Sequence, residues 1–405
     1  MRKFSLLLSF LLPCMGVGTP GFSQQGNNWY FGSYAGLSFN TSPPSVLKDG
    51  RLNANEGCAT ISDSSGQLLF YTDGIYVYTK AHTVMPNGTD LMGHPSSSNS
   101  AIVVPQPGSS FLYYIFTTDA VENDLANGYR YSIVDMRLNN GLGDVTVKNV
   151  LLNAKCTEKL TAAAHANGGD VWIITVEMGG NAFKAYQLGC NGLNETPVVS
   201  NAGLHYDNLG KAIGCLKASA DHKKLATTRI SEAGWELFDF DNLTGRVSNP
   251  LFMTTPDLIP FGVEFSPNSQ LVYVSGRFIY QYKITVPDAL SIEGSRFAVE
   301  TSYPDNKPAL QLGPDNKIYS GNFYTSVINV IHNPDEYGPA CNYQKEAIDL
   351  GMGHTVNRSF PVFYKGITNN RDVNFSFASL ADCRTVQFNA TTQNPALTEW
   401  HWEFG

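Results

Sequence analysis

"GVEFSPNSQLVYVSG", residues 262–276, decides the fold. An apolar-rich run meets the polar stretch Ser266-Pro267-Asn268-Ser269, and a second apolar run ends on Ser275-Gly276. Pro, Asn and Ser favour tight turns, and short alternating runs rich in Val, Tyr and Phe favour strands, so the stretch reads as a β-hairpin. The same shape recurs as "CATISDSSGQLLFYTDG" from Cys58, "AIVVPQPGSSFLYYIFTTD" from Ala101, "KLTAAAHANGGDVWIITVE" from Lys159, "CLKASADHKKLATTR" from Cys215 and "ALQLGPDNKIYSGN" from Ala309. The turns centre near Ser64, Gly108, Gly168, His222, Asn268 and Asp315, which spaces them roughly 44, 60, 54, 46 and 47 residues apart. A repeat of about 40–50 residues is the period of β-propeller blades.

Most copies continue into a third strand: "IYVYTKA", "YRYSIVDM", "FKAYQL", "WELFDF", "FIYQYKI" and "SVINVI". Three strands and a less regular edge make one blade, which has two faces to bury and so needs a neighbour on each side. Six blades do not use up the chain. "NNWYFGSYAGLSFN" at 27–40 precedes them and "RSFPVFYKG" at 358–366 follows them. Residues 27–366 divided by a period of about 49 give seven. The expectation is an all-β, seven-bladed propeller over 25–366, with one blade shared by the two ends: the C-terminal strand inside and the N-terminal hairpin outside.

The composition agrees. Only 15% of residues are charged, while five Trp, 20 Tyr and 23 Phe supply strand formers. The net charge of -8 and the lack of a basic run argue against nucleic-acid binding. Arg2 and Lys3 precede the short apolar run Phe4–Leu12, and Gly21-Phe22-Ser23 is a small-x-small cleavage pattern. Residues 1–24 therefore read as a secretory signal peptide, and no other segment has the length of a membrane span. Cys58, Cys156, Cys190, Cys215, Cys341 and Cys383 are scattered without a C-x-x-C pair, so neither zinc nor redox chemistry is indicated, and buried thiols are the simpler reading.

Past a linker at 367–373, residues 374–405 read as strand, turn, strand "TVQFNA", loop and strand "EWHWEF". Trp400, Trp402 and Phe404 alternate onto one face. "W-E-F-G" at 402–405 resembles the W-x-F-G of PKD-type β-sandwiches, so this segment is expected to be the start of a PKD-like (Ig-like) domain. The chain resembles the N-terminal propeller region of large secreted Bacteroidetes proteins in which PKD-like domains follow. The stretches that carry the resemblance are "WYFGSYAGLSFN", "MPNGTDLMGH", "YSIVDMRLNNGLGDVTVKNVLL", "TEKLTAAAHANGGDVW", "ELFDFDNLTGRVSNP" and the hairpins at 56–78 and 262–275. The resemblance implies export by type IX secretion and a place at the cell surface, and it supplies no catalytic residues.

The sequence offers little chemistry of its own. The eight histidines include no pair at metal-ligand spacing, and no P-loop, G-x-S-x-G or G-x-G-x-x-G occurs, so no cofactor is expected. "SVLK" at 45–48 matches S-x-x-K only as a loop tetrapeptide, and "DFDNLTG" at 239–245 has Leu243 where a calcium loop needs an oxygen. A positional argument remains. Residues just before the innermost strands ring the channel mouth, which nominates Glu56, Asn99, Glu158, Lys159, Lys211, Lys307 and Arg358 as binding residues. The expected function is a secreted or cell-surface scaffold that binds a protein or glycan partner, with the PKD-like module as spacer. The alternative is an extracellular propeller enzyme of lactonase, lyase or glycosidase type acting at the channel mouth; "FSPNSQLVYVSG" resembles blades of lactonase-like propellers.

Overall fold

The computed structural model describes residues 24–255, 259–301 and 309–364, and the backbone of two further strands at 373–379 and 386–392. The architecture is a seven-bladed β-propeller. The closing blade holds β1 (Asn28–Phe31), β2 (Ala35–Ser38) and β3 (Ser45–Leu47). The next holds β4 (Ala59–Ser62), β5 (Leu68–Thr72) and β6 (Val77–Thr79). Then come β7 (Ala101–Pro105), β8 (Leu112–Thr118), β9 (Tyr129–Asp135) and β10 (Asp144–Asn153). The fourth sheet has β11 (Cys156–Ala164), β12 (Val171–Glu177) and β13 (Ala182–Gly189), with β14 (Gly192–Leu193) and β15 (Val198–Asn201) both paired to β13. The last three are β16 (Leu216–Ala218), β17 (Lys224–Arg229), β18 (Gly234–Asp241) and β19 (Arg246–Thr254); β20 (Gly262–Phe265), β21 (Leu271–Ser275), β22 (Ile279–Lys283) and β23 (Phe297–Glu300); and β24 (Ala309–Leu312), β25 (Ile318–Gly321), β26 (Val327–Ile331) and β27 (Tyr343–Asp349).

The hairpins behind the repeat share one device. The turn between the first and second strand of each of the six blades carries a residue in the left-handed region: Gly66, Gly108, Gly168, His222, Ser269 and Asn316, with φ between 58° and 81°. Glycine adopts it freely and a polar residue tolerates it, which is why these turns look dissimilar in sequence yet superpose in role.

Blades are held face to face by apolar layers. Trp172, Ile174 and Phe183 of the fourth blade pack on Leu216, Leu225 and Phe238 of the fifth. Trp235 and Leu237 of the fifth meet Val263, Val272 and Tyr282 of the sixth. Burial on both faces explains why inner strands read as near-continuous apolar runs.

The two chain ends close the ring, with one departure from the expected pairing. The segment 358–364 takes the inner position of the closing blade but is displaced into the channel. Pro361 forms a parallel bridge with Cys58, and Phe363 one with Val103, so the segment runs alongside β4 and β7 rather than laddering with β1. Aromatic packing joins it to β1 instead: Phe360 lies 5.6 Å from Trp29 and 5.0 Å from Phe31, and Phe363 lies 5.7 Å from Trp29. Pro361 lacks the N–H that a ladder bond would need, which favours side-chain docking there.

Beyond the propeller, β28 (Val373–Ser379) and β29 (Val386–Thr392) form an antiparallel hairpin in register from Val373↔Thr392 to Ser379↔Val386. Residues 1–23 and the "TEWHWEFG" strand with Trp400, Trp402 and Phe404 lie outside the described residues. No helix among the described residues is long and apolar enough to cross a membrane.

Candidate functional site

Segment 358–364 runs parallel to β4 and β7, so residues preceding the inner strands gather at one end of the channel, the mouth. Ser98 and Asn99, ahead of β7, reach across it: the Gly214 N–H donates to Ser98 Oγ at 3.0 Å and the Leu216 N–H to Asn99 Oδ1 at 3.3 Å. Ser359 Oγ donates to the Ser98 carbonyl at 3.2 Å. Three remote segments are thereby tied around the axis.

Glu56 and Arg358 meet as an ion pair at 2.9 Å between Oε1 and Nη1. Glu56 is 2% exposed and its other oxygen, Oε2, has no hydrogen-bond partner. Burial, then the charge of Glu158, push its carboxyl up to about 8 against the opposing pull of Arg358. Arg358 keeps about a third of its side chain exposed, and its guanidinium carbon lies 4.5 Å over the Phe323 ring. Phe323 stacks closely on Tyr324, with 3.8 Å between centroids, and Tyr324 is 62% exposed. Asn322, just after β25, is buried with its Oδ1 unpartnered.

Glu158 is buried and fully engaged. One oxygen accepts from the Ser98 N–H at 2.9 Å and Ser98 Oγ at 2.6 Å; the other accepts from the Val121 N–H at 3.0 Å. Burial still raises its carboxyl above the usual range, because desolvation outweighs these bonds. Lys159 is wholly buried, turned away from the channel opening into the next blade, where Nζ donates to the carbonyls of Ile213 at 3.1 Å and Thr228 at 2.7 Å. Burial, then repulsion from Arg229, bring its ammonium down to about 7. Lys211 lies in the one-turn helix α1 (Leu209–Ala212) and pairs with Asp207 at 2.8 Å and Glu232 at 2.7 Å. Asn99 is buried, and Lys307 lies outside the described residues.

The nominated ring therefore divides. Glu56, Asn99, Glu158 and Arg358 converge on the mouth; Lys159 and Lys211 serve the adjoining blade contact. β11 begins at Cys156, with a register shift before Leu160, so Glu158 and Lys159 sit inside a strand rather than ahead of it. Behind Lys159 is a network that sequence reasoning did not find. Arg229, wholly buried at the end of β17, pairs with Glu232 at 2.5 Å and Glu236 at 3.0 Å and packs its guanidinium 4.2 Å over Tyr206. Arg229, Glu232 and Glu236 lie within eight residues, "RISEAGWE", but match no motif, and Tyr206 comes from a separate loop.

A second missed set lies deeper in the channel. Lys217 bonds Gln311 and lies 3.4 Å from Glu264, linking β16, β20 and β24. Here a signal was available. "CLKAS", "GVEFS" and "ALQLG" each place one polar residue between apolar ones at the centre of an inner strand. Period-two alternation turns that residue toward the axis.

Other nominated motifs have structural uses. Asp241 accepts from the Leu243 N–H at 3.0 Å and Thr244 Oγ1 at 2.6 Å within a turn, and Asp239 pairs with Lys224 at 2.5 Å. Ser45 opens the outer strand β3. Cys58, Cys156, Cys190, Cys215 and Cys341 are free thiols. Among the described residues no group of three or more His, Cys, Asp or Glu is placed to hold a metal ion.

Fold and site together define a seven-bladed propeller with a polar, aromatic-flanked channel mouth. No family model matches the chain, and no curated protein matches it. Among solved structures it is similar to a Kuenenia stuttgartiensis hydrazine synthase at 11% identity, over 95% of this chain and 99% of that one, with TM-score 0.44. It is also similar to Kluyveromyces lactis Hsv2 at 11% identity, over 76% and 90% of the two chains, with TM-score 0.42. A 6-phosphogluconolactonase-like protein of Bacteroides fragilis is similar at 11% identity, over 82% and 88%, with TM-score 0.40.

Proposed function

We propose that this protein is a secreted or cell-surface binding scaffold, of the Bacteroidetes PKD-domain type that its sequence resembles, whose channel mouth recognises a protein or glycan partner. The observation that carries the reading is the disposition of the chain ends. Gln25, Gly26, Phe363 and Tyr364 line one cavity at the far end of the channel, together with Ile61, Val103 and Leu312 from inner strands. Both ends of the propeller chain thus leave from the face opposite the mouth. A PKD-like spacer after residue 373 would then extend from the far side and leave the mouth clear. The exposed Tyr34, Tyr76 and Tyr324 follow strands that end at this face and supply large amphipathic contact area. The test is capture of cell-surface material by the full chain and its variants. Binding abolished by Tyr324→Ala, and retained by Leu290→Ala in α2 (Ala289–Gly294), a helix packed on the outer strand β19, supports the reading; the opposite pattern refutes it.

The buried Glu56 and Glu158 pair favours a second reading, acid–base catalysis at the same mouth, because neighbouring carboxyls driven upward are the usual equipment of hydrolases. It is the weaker reading because both oxygens of Glu158 are already occupied by donors from Ser98 and Val121. Turnover of a lactone or glycoside lost in Glu56→Gln would reverse that order.

A further inference from the structure

We infer that Tyr34, Tyr76, Tyr324 and Met352 form an off-axis docking surface at the seam side of the mouth, and that its partner is an acidic protein segment with apolar side chains of its own. This rests on the binding-scaffold reading and names the partner class and the side of the face that it takes.

The turns between second and third strands open on the mouth face, with segment 358–364 standing as the first strand of the closing blade. These turns fall into two groups. Those between β25 and β26, β1 and β2, and β5 and β6 belong to three consecutive blades around the seam, and they expose Tyr324, Tyr34 and Tyr76. Among the described residues, the equivalent turns of the other four blades expose no large apolar side chain; Glu122, Asp124, Ser231 and Arg277 stand there instead.

The exposed side chains of the first group are neighbours. Residues 350–356 run between two of the turns. On one side the Ser33 N–H donates to the Thr355 carbonyl at 3.0 Å, and His354 Nδ1 lies 2.8 Å from the Tyr34 carbonyl. On the other the Leu350 N–H donates to Ser326 at 2.8 Å and the Val356 N–H to Thr325 at 2.7 Å. The Tyr76 ring lies 6.2 Å from that of Tyr78. Burial, then the charges of Asp73, Tyr76 and Tyr34, push the Tyr78 phenol up, which brings Tyr34 near the same ring. Met352 stands between Gly351 at φ 84° and Gly353 at φ 83° and is 100% exposed. Tyr34 and Tyr324 are themselves held at φ 57°, a region that bulky residues avoid. The backbone thus presents apolar side chains to water in a conformation that local packing does not explain.

Composition sets the partner. Tyr, Met and Arg are enriched at the cores of protein interfaces, and a solvated apolar patch with a polar rim marks such a site. A sugar finds a stacking face on the tyrosines but none on Met352, whose flexible thioether adapts to apolar side chains of irregular shape. The rim carries exposed cations. Lys48 Nζ lies beside Gly351, the Arg51 N–H donates to the Tyr71 hydroxyl, and Arg358 keeps about a third of its side chain exposed. The neighbouring carboxylates are engaged: Asp49 accepts from the Tyr30 hydroxyl at 2.9 Å and lies 3.3 Å from His82, and Asp349 accepts from the Gly351 N–H at 2.8 Å. The next turn round the ring, between β8 and β9, exposes Glu122 and Asp124. An acidic segment is drawn to the seam side and repelled beyond it, on a chain whose net charge of -8 would otherwise turn it away.

The test selects binders to the purified full chain from a displayed library of random linear peptides. The tightest peptide is then titrated calorimetrically, and its association is timed at low and high salt. Expected are peptides that combine Asp or Glu with Leu, Phe, Tyr or Trp. Their binding weakens about tenfold or more in Met352→Ser and in Tyr324→Asn, since asparagine tolerates the left-handed turn, and is unchanged in Leu209→Ala elsewhere on the same face. Lys48→Glu combined with Arg51→Glu slows association, as does salt on the parent chain. Circular dichroism confirms that each variant is folded. Selection of basic peptides, or binding indifferent to both Met352→Ser and Tyr324→Asn, overturns the inference. If no peptide is selected while an immobilised oligosaccharide binds and is lost in Tyr324→Asn, the acidic protein segment falls and the scaffold stands; if neither binds, both fall.

Discussion

Replacing Trp29 by Ala should open the propeller at its seam. Trp29 is wholly buried and lies 4.8 Å from Phe39, 5.4 Å from Tyr319 and 5.7 Å from Phe363, so one ring touches the N-terminal hairpin, the last blade and the channel segment. Its Nε1 donates to the Gly26 carbonyl at 3.0 Å. Removing a buried aromatic costs about 3–5 kcal/mol, and losing the indole hydrogen bond adds about 1 kcal/mol. That is a large fraction of the ~5–15 kcal/mol that holds a typical domain together. Urea unfolding followed by circular dichroism gives the global loss. Hydrogen exchange locates it: amides of β1, β2 and residues 358–363 should lose protection before those of the central blades. Phe363→Ala should act on the same contact, so the double variant should be less destabilised than the sum of the singles by about 0.5–3 kcal/mol. A loss below ~1 kcal/mol, or strict additivity, would mean that the ends do not close the ring through this cluster.

Four further outcomes follow from the same geometry. Glu56 binds its proton more tightly folded than unfolded, its carboxyl rising from 4.5 to about 8, so its contribution to stability is complete below about pH 4.5 and lost as pH climbs through 8; Glu56→Gln should flatten that decline in a melting-temperature profile. Lys159 has the opposite sign, falling from 10.5 to about 7, so stability should recover between pH 7 and 10.5, and Lys159→Met should remove the recovery in the same profile. Gly57→Ala would place Cβ 2.1 Å from the Ser100 backbone nitrogen, an overpacking of about 1–3 kcal/mol measurable by urea unfolding, with loss of the Glu56–Arg358 geometry. Deleting 371–405 should leave the melting temperature nearly unchanged, because the closing segment ends before it and about 35 residues rarely fold alone; a drop of several degrees would join that segment to the propeller.

The blades were legible because each hairpin carries its own turn chemistry. Gly66, Gly108 and Gly168 announce left-handed positions, and His222, Ser269 and Asn316 occupy the equivalent place in the remaining turns. The seam was legible as a deficit of strands at both ends. Its pairing was not, since sequence cannot tell whether a short strand such as 358–364 ladders with β1 or slides against β4 and β7; aromatic packing around Trp29 decides that. Position before an inner strand located Glu56, Asn99 and Arg358 at the mouth. It misplaced the side chain of Lys159, because β11 starts two residues before Glu158 and the register shift that follows leaves no mark in the sequence. Phe323 and Tyr324 follow "IYSGN" with no motif to mark them, and only their contact with Arg358 gives them a use.

The most direct measurement is where the bound partner sits on the propeller. Hydrogen exchange of the full chain, free and saturated with the selected peptide or captured surface protein, should show protection confined to the segments around Tyr34, Tyr76, 322–325 and 351–358. Protection at α2, at the turns beside Ser269 and Asn316, or along the outer strands β10 and β15 would put the binding surface elsewhere and contradict it.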